Sequence, residues 1–197
     1  MLARGRGFGT QGSAQLEYRG TNLPDRGVDV FHDPGQPLRG GCLLVWAHTF
    51  VTNEIHNQLA AEQIYFPAAN SAAVAGPEFK AMRQYGGQQL TTGAQAQVYA
   101  DHFIAVHLKA IADGKTYAQL STAAKADPTN TVLAGQVATV FKGETLRGLL
   151  LNAYAFGTMA TIALIAAIAA FVAAGLMLVL SALGMVHIRK TRIATTA

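Results

Sequence analysis

From Met159 to Val186 the chain reads MATIALIAAIAAFVAAGLMLVLSALGMV, 28 residues without a charge or a proline, whose only hydroxyls are Thr161 and Ser181. About 20 mainly apolar residues suffice to carry a helix across a hydrocarbon layer roughly 30 Å thick. In lipid the backbone must satisfy its own polar groups, and a single isolated segment does so only as a helix. The run therefore predicts one C-terminal transmembrane helix over 158–187, and the lipid bilayer becomes the first expected partner. Composition agrees: 51% of the residues are hydrophobic and only 13% charged, a balance that suits a membrane protein better than a highly soluble enzyme.

The net charge of +4 is unevenly placed. Residues 1–40 hold five arginines and four acids, residues 41–145 hold six basic groups and seven acids, and residues 146–197 hold four basic groups and no acid. The surplus sits in the tail HIRKTRIATTA. Arg189, Lys190 and Arg192 follow the apolar run directly, whereas its other flank offers Lys142, Glu144 and Arg147. By the positive-inside tendency the tail of 188–197 is cytoplasmic, the segment upstream of about residue 150 is outside, and the membrane is the cell membrane. Three basic residues in a short tail do not make a nucleic-acid surface, which needs a broader basic face with base-reading elements, so no nucleic-acid partner is expected. Cys42 is the only cysteine, which excludes an internal disulfide.

Residues 1–40 carry repeated Gly and Arg, together with Pro24, Pro34 and Pro37, and lack either helical or strand period. They read as disordered. Next comes CLLVWAHTFV, Cys42 to Val51, about half the length of a spanning helix and interrupted by His48. With TNEIHNQLAAEQI it makes a segment, 41–64, expected as a short helix and the possible remnant of a first spanning helix. Residues 65–94 are rich in Gly, Ala, Asn and Pro and predict an irregular loop. Helices are expected over 95–157, outside the membrane. The first carries Tyr99, Phe103 and Val106 on an outward face and stops at Gly114. The second starts at a capping box, Thr116 with Gln119. The third starts at Asp127 and Pro128 and runs toward the membrane, with a kink or break expected near Gly143 or Gly157. The fold class is thus an all-α membrane protein with a small helical extracytoplasmic region.

Within the span, Ala160, Ala163, Ala167, Ala170, Ala174, Met177, Ser181 and Gly184 recur in alternating steps of three and four. In lipid, helices associate through close van der Waals packing, which small side chains permit. This seam is where a membrane-protein partner, or a second copy of the chain, is expected to press.

Four segments, NQLAAEQI at 57–64, QAQVYADHFIAVHL at 95–108, ADGKTYAQLS at 112–121 and the stretch from Val137 to Leu183, give the chain a resemblance to a group of small actinobacterial membrane proteins. It covers about residues 53–187. The resemblance implies two spanning helices bracketing an extracytoplasmic segment; some such proteins carry the label of aromatic ring-opening dioxygenase. This chain departs from that pattern where the first spanning helix belongs. The first 40 to 50 residues are therefore expected to come from a shifted reading frame or a wrong start. An upstream sequence without an apolar stretch of about 20 codons in any frame would disprove this.

The dioxygenase label implies two histidines and a carboxylate at a metal. His102 and His107 with Asp101 or Asp113 are the candidates, yet a separation of five turns two helical side chains about 140° apart. His56 with Glu54 or Glu62 forms no better set. Neither a phosphate-cradling loop nor a nucleophile motif occurs, and no acidic or basic residue lies between Arg147 and His187, where transporters keep theirs. The expectation is a non-enzymatic membrane protein with no catalytic residue, metal ligand or cofactor, acting as an accessory or interaction subunit. The alternative is a membrane-anchored metal-dependent enzyme using His102 or His107 with Asp101.

Overall fold

The structure, a computed structural model, describes residues 35–195, with side chains to Lys190; these residues belong to one compact unit, Pro34–Ala197. Of the residues expected to be disordered, 1–40, those from 35 to 40 are instead the first turns of a helix, and the remainder, with most of the segment expected from a shifted frame, lie outside the described residues. Everything described is helix or connecting turn, apart from one isolated bridge between Tyr65 and Gln89. Helix α1, Gly35–Ala61, leads through two 3-10 turns, Ala72–Val74 and Pro77–Phe79, into the single turn α2, Lys80–Arg83. Then come α3, Gly93–Tyr99, a π-helical turn at Ala100–Ile104, α4, Ala105–Ile111, α5, Tyr117–Ala126, and α6, Thr131–Thr195.

Helix α6 has 65 residues and is about 97 Å long at 1.5 Å per residue. It is the one described helix long and apolar enough to cross a membrane, and only 11% of its most apolar 18-residue window is buried. The helix passes through Gly143 and Gly157 unbroken. These glycines are sites of close approach instead. Gly143 lies beneath the Leu108 side chain, and a methyl built on Gly157 would stand 3.6 Å from Gly93 Cα and 3.7 Å from Ile55 Cδ1. The expected start of α6 also shifts. Asp127, Pro128, Thr129 and Asn130 form a turn closed by Asn130 N–H donating to the Asp127 carbonyl at 3.3 Å, since proline favours the second position of such a turn. Asn130 then caps α6, its Oδ1 accepting from Leu133 N–H at 3.0 Å.

α1 starts seven residues earlier than the apolar stretch, with Pro37 in its first turn, where the missing N–H leaves no helical bond unmade. It runs antiparallel to α6. Gly41 sits under the Phe171 ring, His48 meets Ala160, and Ile55 meets Gly157. The faces that meet are α1 Gly41, His48, Ile55 and Leu59 and α6 Leu150, Gly157, Ala160 and Ala167, spaced by seven, or by three or four, as one face of a helix requires.

Above this hairpin the shorter helices build a cap. Its core joins Phe66, Val74, Phe79, Met82, Leu90, Ala96, Ala100, Ile104 and Leu108 to Leu59 of α1 and Leu150 of α6. Phe66 meets the edge of Tyr99 at 5.4 Å and 87°, a geometry favoured by the ring quadrupoles. A satellite cluster of Ala112, Leu120 and Val140 seats α5 on α6. The face of Tyr99, Phe103 and Val106, expected to point outward, is half-buried against the main core. The loop of 65–94 folds under that core because Phe66, Val74, Phe79, Met82 and Leu90 are all buried.

Candidate functional site

Small residues let α1 and α6 approach along the expected seam. Ala160, Ala167 and Ala174 are buried, and Ala163 and Ala170 are half-buried. Past Ala174 the seam opens: Met177, Ser181 and Gly184 are exposed, together with Leu176, Leu178, Val179, Leu180 and Leu183. Arg189 and Lys190 are exposed near the end of the same helix, and Arg192 continues its backbone.

His48, which interrupts the apolar stretch of α1, makes a polar contact with α6 across the seam. Its Nδ1 lies 2.9 Å from the Ala160 carbonyl oxygen. A carbonyl only accepts, so the proton is on Nδ1 and the imidazole donates. Two residues to either side of His48, Trp46 and Phe50 stack at 5.6 Å and 16°, both well exposed.

The second junction is where α3 begins. Thr92 and Gln95 make a full capping box, and Gln95 Oε1 accepts from Thr91 N–H at 2.9 Å and Thr92 N–H at 3.1 Å. The next residue, Gly93, crosses α6 so closely that a methyl there would stand 2.9 Å from the Ala153 carbonyl oxygen. Seven residues on, the π turn inserts one extra residue into the helix and so rotates α4 about the shared axis by about 100°. Asp101 in this turn accepts from Arg147 Nη2 at 3.0 Å, and Glu144 accepts from Nη1 at 3.4 Å. Arg147 Nε is buried without a hydrogen-bond partner. Burial beside the Phe66 and Phe103 rings pushes the Tyr99 phenol above its ordinary value.

The residues of the enzymatic alternative are spread over separate contacts. Asp101 is paired to Arg147. His102 Nδ1 is 3.0 Å from the Glu78 carbonyl, and His107 Nδ1 is 2.7 Å from that of Phe103, with the His107 ring 4.3 Å from the Phe103 ring. Asp113 lies at the end of α4 with φ 52°, and Glu54 accepts from Gln58 at 2.6 Å. Among the described residues no three His, Cys, Asp or Glu side chains gather as metal ligands would.

A groove of about 540 Å³ runs between α1 and α6 on the cap side of Trp46. Its walls are apolar, from Phe50 and Ile55 to Leu149 and Phe156, while Glu54, Gln58 and Glu62 succeed one another along its α1 side. Sequence reasoning missed this groove, because its two walls are about 100 residues apart in the chain. The i, i+4, i+8 spacing of Glu54, Gln58 and Glu62 is the only local signal of it.

Comparison of the chain with protein-family models, with curated proteins and with solved structures found no match.

Proposed function

We propose that this chain is a non-catalytic integral membrane protein, an accessory or interaction subunit of a membrane or envelope complex. In this reading α6 spans the cell membrane, the basic tail is cytoplasmic and the helical cap stands outside. The observation that carries it is the exposure of α6 beyond Ala174. Leu176, Leu180, Leu183 and Val186 are each more than half exposed, on a helix whose most apolar window is 11% buried. A core helix of a water-soluble domain would be covered; an apolar surface this continuous marks a membrane or a protein contact. Burying such a surface is worth about 25 cal/mol per Å² of apolar area, which acyl chains supply on all sides. The small residues of the seam below α1 then leave one side of the span suited to another helix.

Two measurements test the reading. Single cysteines at Lys125 and Arg192, in a Cys42→Ser background, should react with a membrane-impermeant maleimide from opposite sides of sealed vesicles; reaction from the same side refutes the topology. Affinity purification from native membranes in gentle detergent should recover a stoichiometric membrane-protein partner. Recovery of the chain alone, as a monomer, refutes the subunit role.

A further inference from the structure

We infer that the groove between α1 and α6 is a docking site, outside the bilayer, for an amphipathic helix of a partner protein that carries basic residues along the edge of its apolar face. The inference rests on the membrane placement just proposed and names the chemistry of the partner.

Height comes first. The expected span begins at Thr158, and the α6 wall of the groove runs from Leu146 to Phe156, twelve to two residues further out. At 1.5 Å per residue these distances are about 18 and 3 Å, whereas the headgroup layer adds only about 5–8 Å on each side. The groove therefore starts at headgroup level by Phe156 and faces water from about Asn152 to Leu146.

Its walls are unsuited to water. Phe50, Leu149 and Phe156 are 56%, 61% and 54% exposed, and they share one apolar trough. From Leu146 to Phe156 the trough is about 15 Å long, the length of roughly ten helical residues. That accommodates an amphipathic helix bound through anchors at i, i+3 or i+4 and i+7. Charge selects among occupants. Glu54 and Glu62 line the groove and no lysine or arginine does, so the headgroup of an anionic phospholipid meets like charge, whereas a lysine or arginine at the margin of a helix meets opposite charge.

The test uses the full chain in phosphatidylcholine nanodiscs and two synthetic 14-residue helices. Both peptides have leucines on one face; one carries lysines four residues apart beside them and the other glutamates. Fluorescence anisotropy, corrected for empty nanodiscs, should show the lysine peptide binding about tenfold more tightly. The Glu54→Gln, Glu62→Gln double variant should abolish that difference, and Leu149→Asn, at an exposed position, should weaken both peptides. Equal binding of the two peptides, or indifference to these variants, overturns the inference. So does a photoreactive acyl-chain lipid that labels Leu149 and is not displaced by the lysine peptide, which would make lipid the occupant. A Leu149→Cys variant in the Cys42→Ser background separates the two levels. Rapid reaction with a water-soluble maleimide supports the height of the groove, and shielding by lipid overturns the membrane placement together with the inference.

Discussion

Gly93 is where the packing of the cap against α6 leaves least room. A methyl group added there would stand 2.9 Å from the Ala153 carbonyl oxygen and 3.1 Å from Tyr154 Cα. Both are backbone atoms of a long helix, so no change of rotamer relieves the contact. Helix α3 has to move away from α6 by some tenths of an ångström, which disturbs the packing around its buried Gln95 and Ala96. Overfilling a packed interior costs about 1–3 kcal/mol. Exchanging glycine for alanine returns about 0.4–1 kcal/mol through the unfolded chain. Gly93→Ala should therefore destabilise the cap by about 1–2 kcal/mol, lowering the ratio of folded to unfolded molecules roughly five- to thirtyfold. Gly148 supplies the control. It is an exposed glycine within α6, and a methyl there meets nothing within 4 Å, so Gly148→Ala should stabilise by up to about 1 kcal/mol through helix propensity alone. Urea titration in detergent micelles, monitored by near-ultraviolet circular dichroism of the aromatic residues in the cap, measures both. A Gly93→Ala protein as stable as the parent, or two variants shifting in the same direction, would refute the steric reasoning.

Ala167→Leu places bulk at a fully buried point of the seam and should loosen α1 from α6 by about 1–3 kcal/mol; amide exchange in α1 that stays as slow as in the parent contradicts this. Arg147→Met leaves Asp101, whose side chain is 36% exposed, to water, so the loss should stay within about 1 kcal/mol, and a much larger loss in urea titration would show that the pair matters more than its exposure implies. Thr116→Ala removes the hydroxyl that accepts from Gln119 N–H at 3.3 Å and should cost about 1 kcal/mol, seen as faster amide exchange confined to the first turn of α5. The Tyr99 phenol titrates above the ordinary tyrosine value because burial disfavours its anion. The stability that it contributes is thus complete below about pH 10 and declines as pH rises through the raised value. Tyr99→Phe should flatten that alkaline decline, and an unchanged profile would assign it to other groups.

The local features were legible because each is a matter of neighbours in the chain. The apolar run needs only its own side chains to specify a helix suited to lipid. The box of Thr116 and Gln119 and the left-handed Gly114, at φ 75°, depend on four or five consecutive residues. The seam was visible as far as periodicity goes, since Ala160, Ala167 and Ala174 share a face of any helix. What periodicity could not give was what that face meets. His48 reads in sequence as an interruption of an apolar segment, and it becomes a cross-helix donor only once Ala160, 112 residues away, stands opposite.

Tertiary structure reversed the reading of the glycines and of the aromatic face. Gly143 and Gly157 suggest weak points because glycine is a poor helix former, but a glycine also lets another chain segment come close, and Leu108 and Gly93 do so here. Tyr99, Phe103 and Val106 describe an apolar face without indicating whether water or a core lies beside it; the folding of residues 65–94 beneath α3 and α4 decided that it is a core. In the same way Asp101, a possible ligand by residue type, became the partner of Arg147. By itself the sequence determined helix, apolar length and charge asymmetry, because these are set over spans of one helix or less. The pairing of α1 with α6, the crossing at Gly93 and the groove lined by Glu54 and Glu62 were decided only by the fold, because each joins residues that the chain separates by tens of positions and whose contact energy exists only after both are placed.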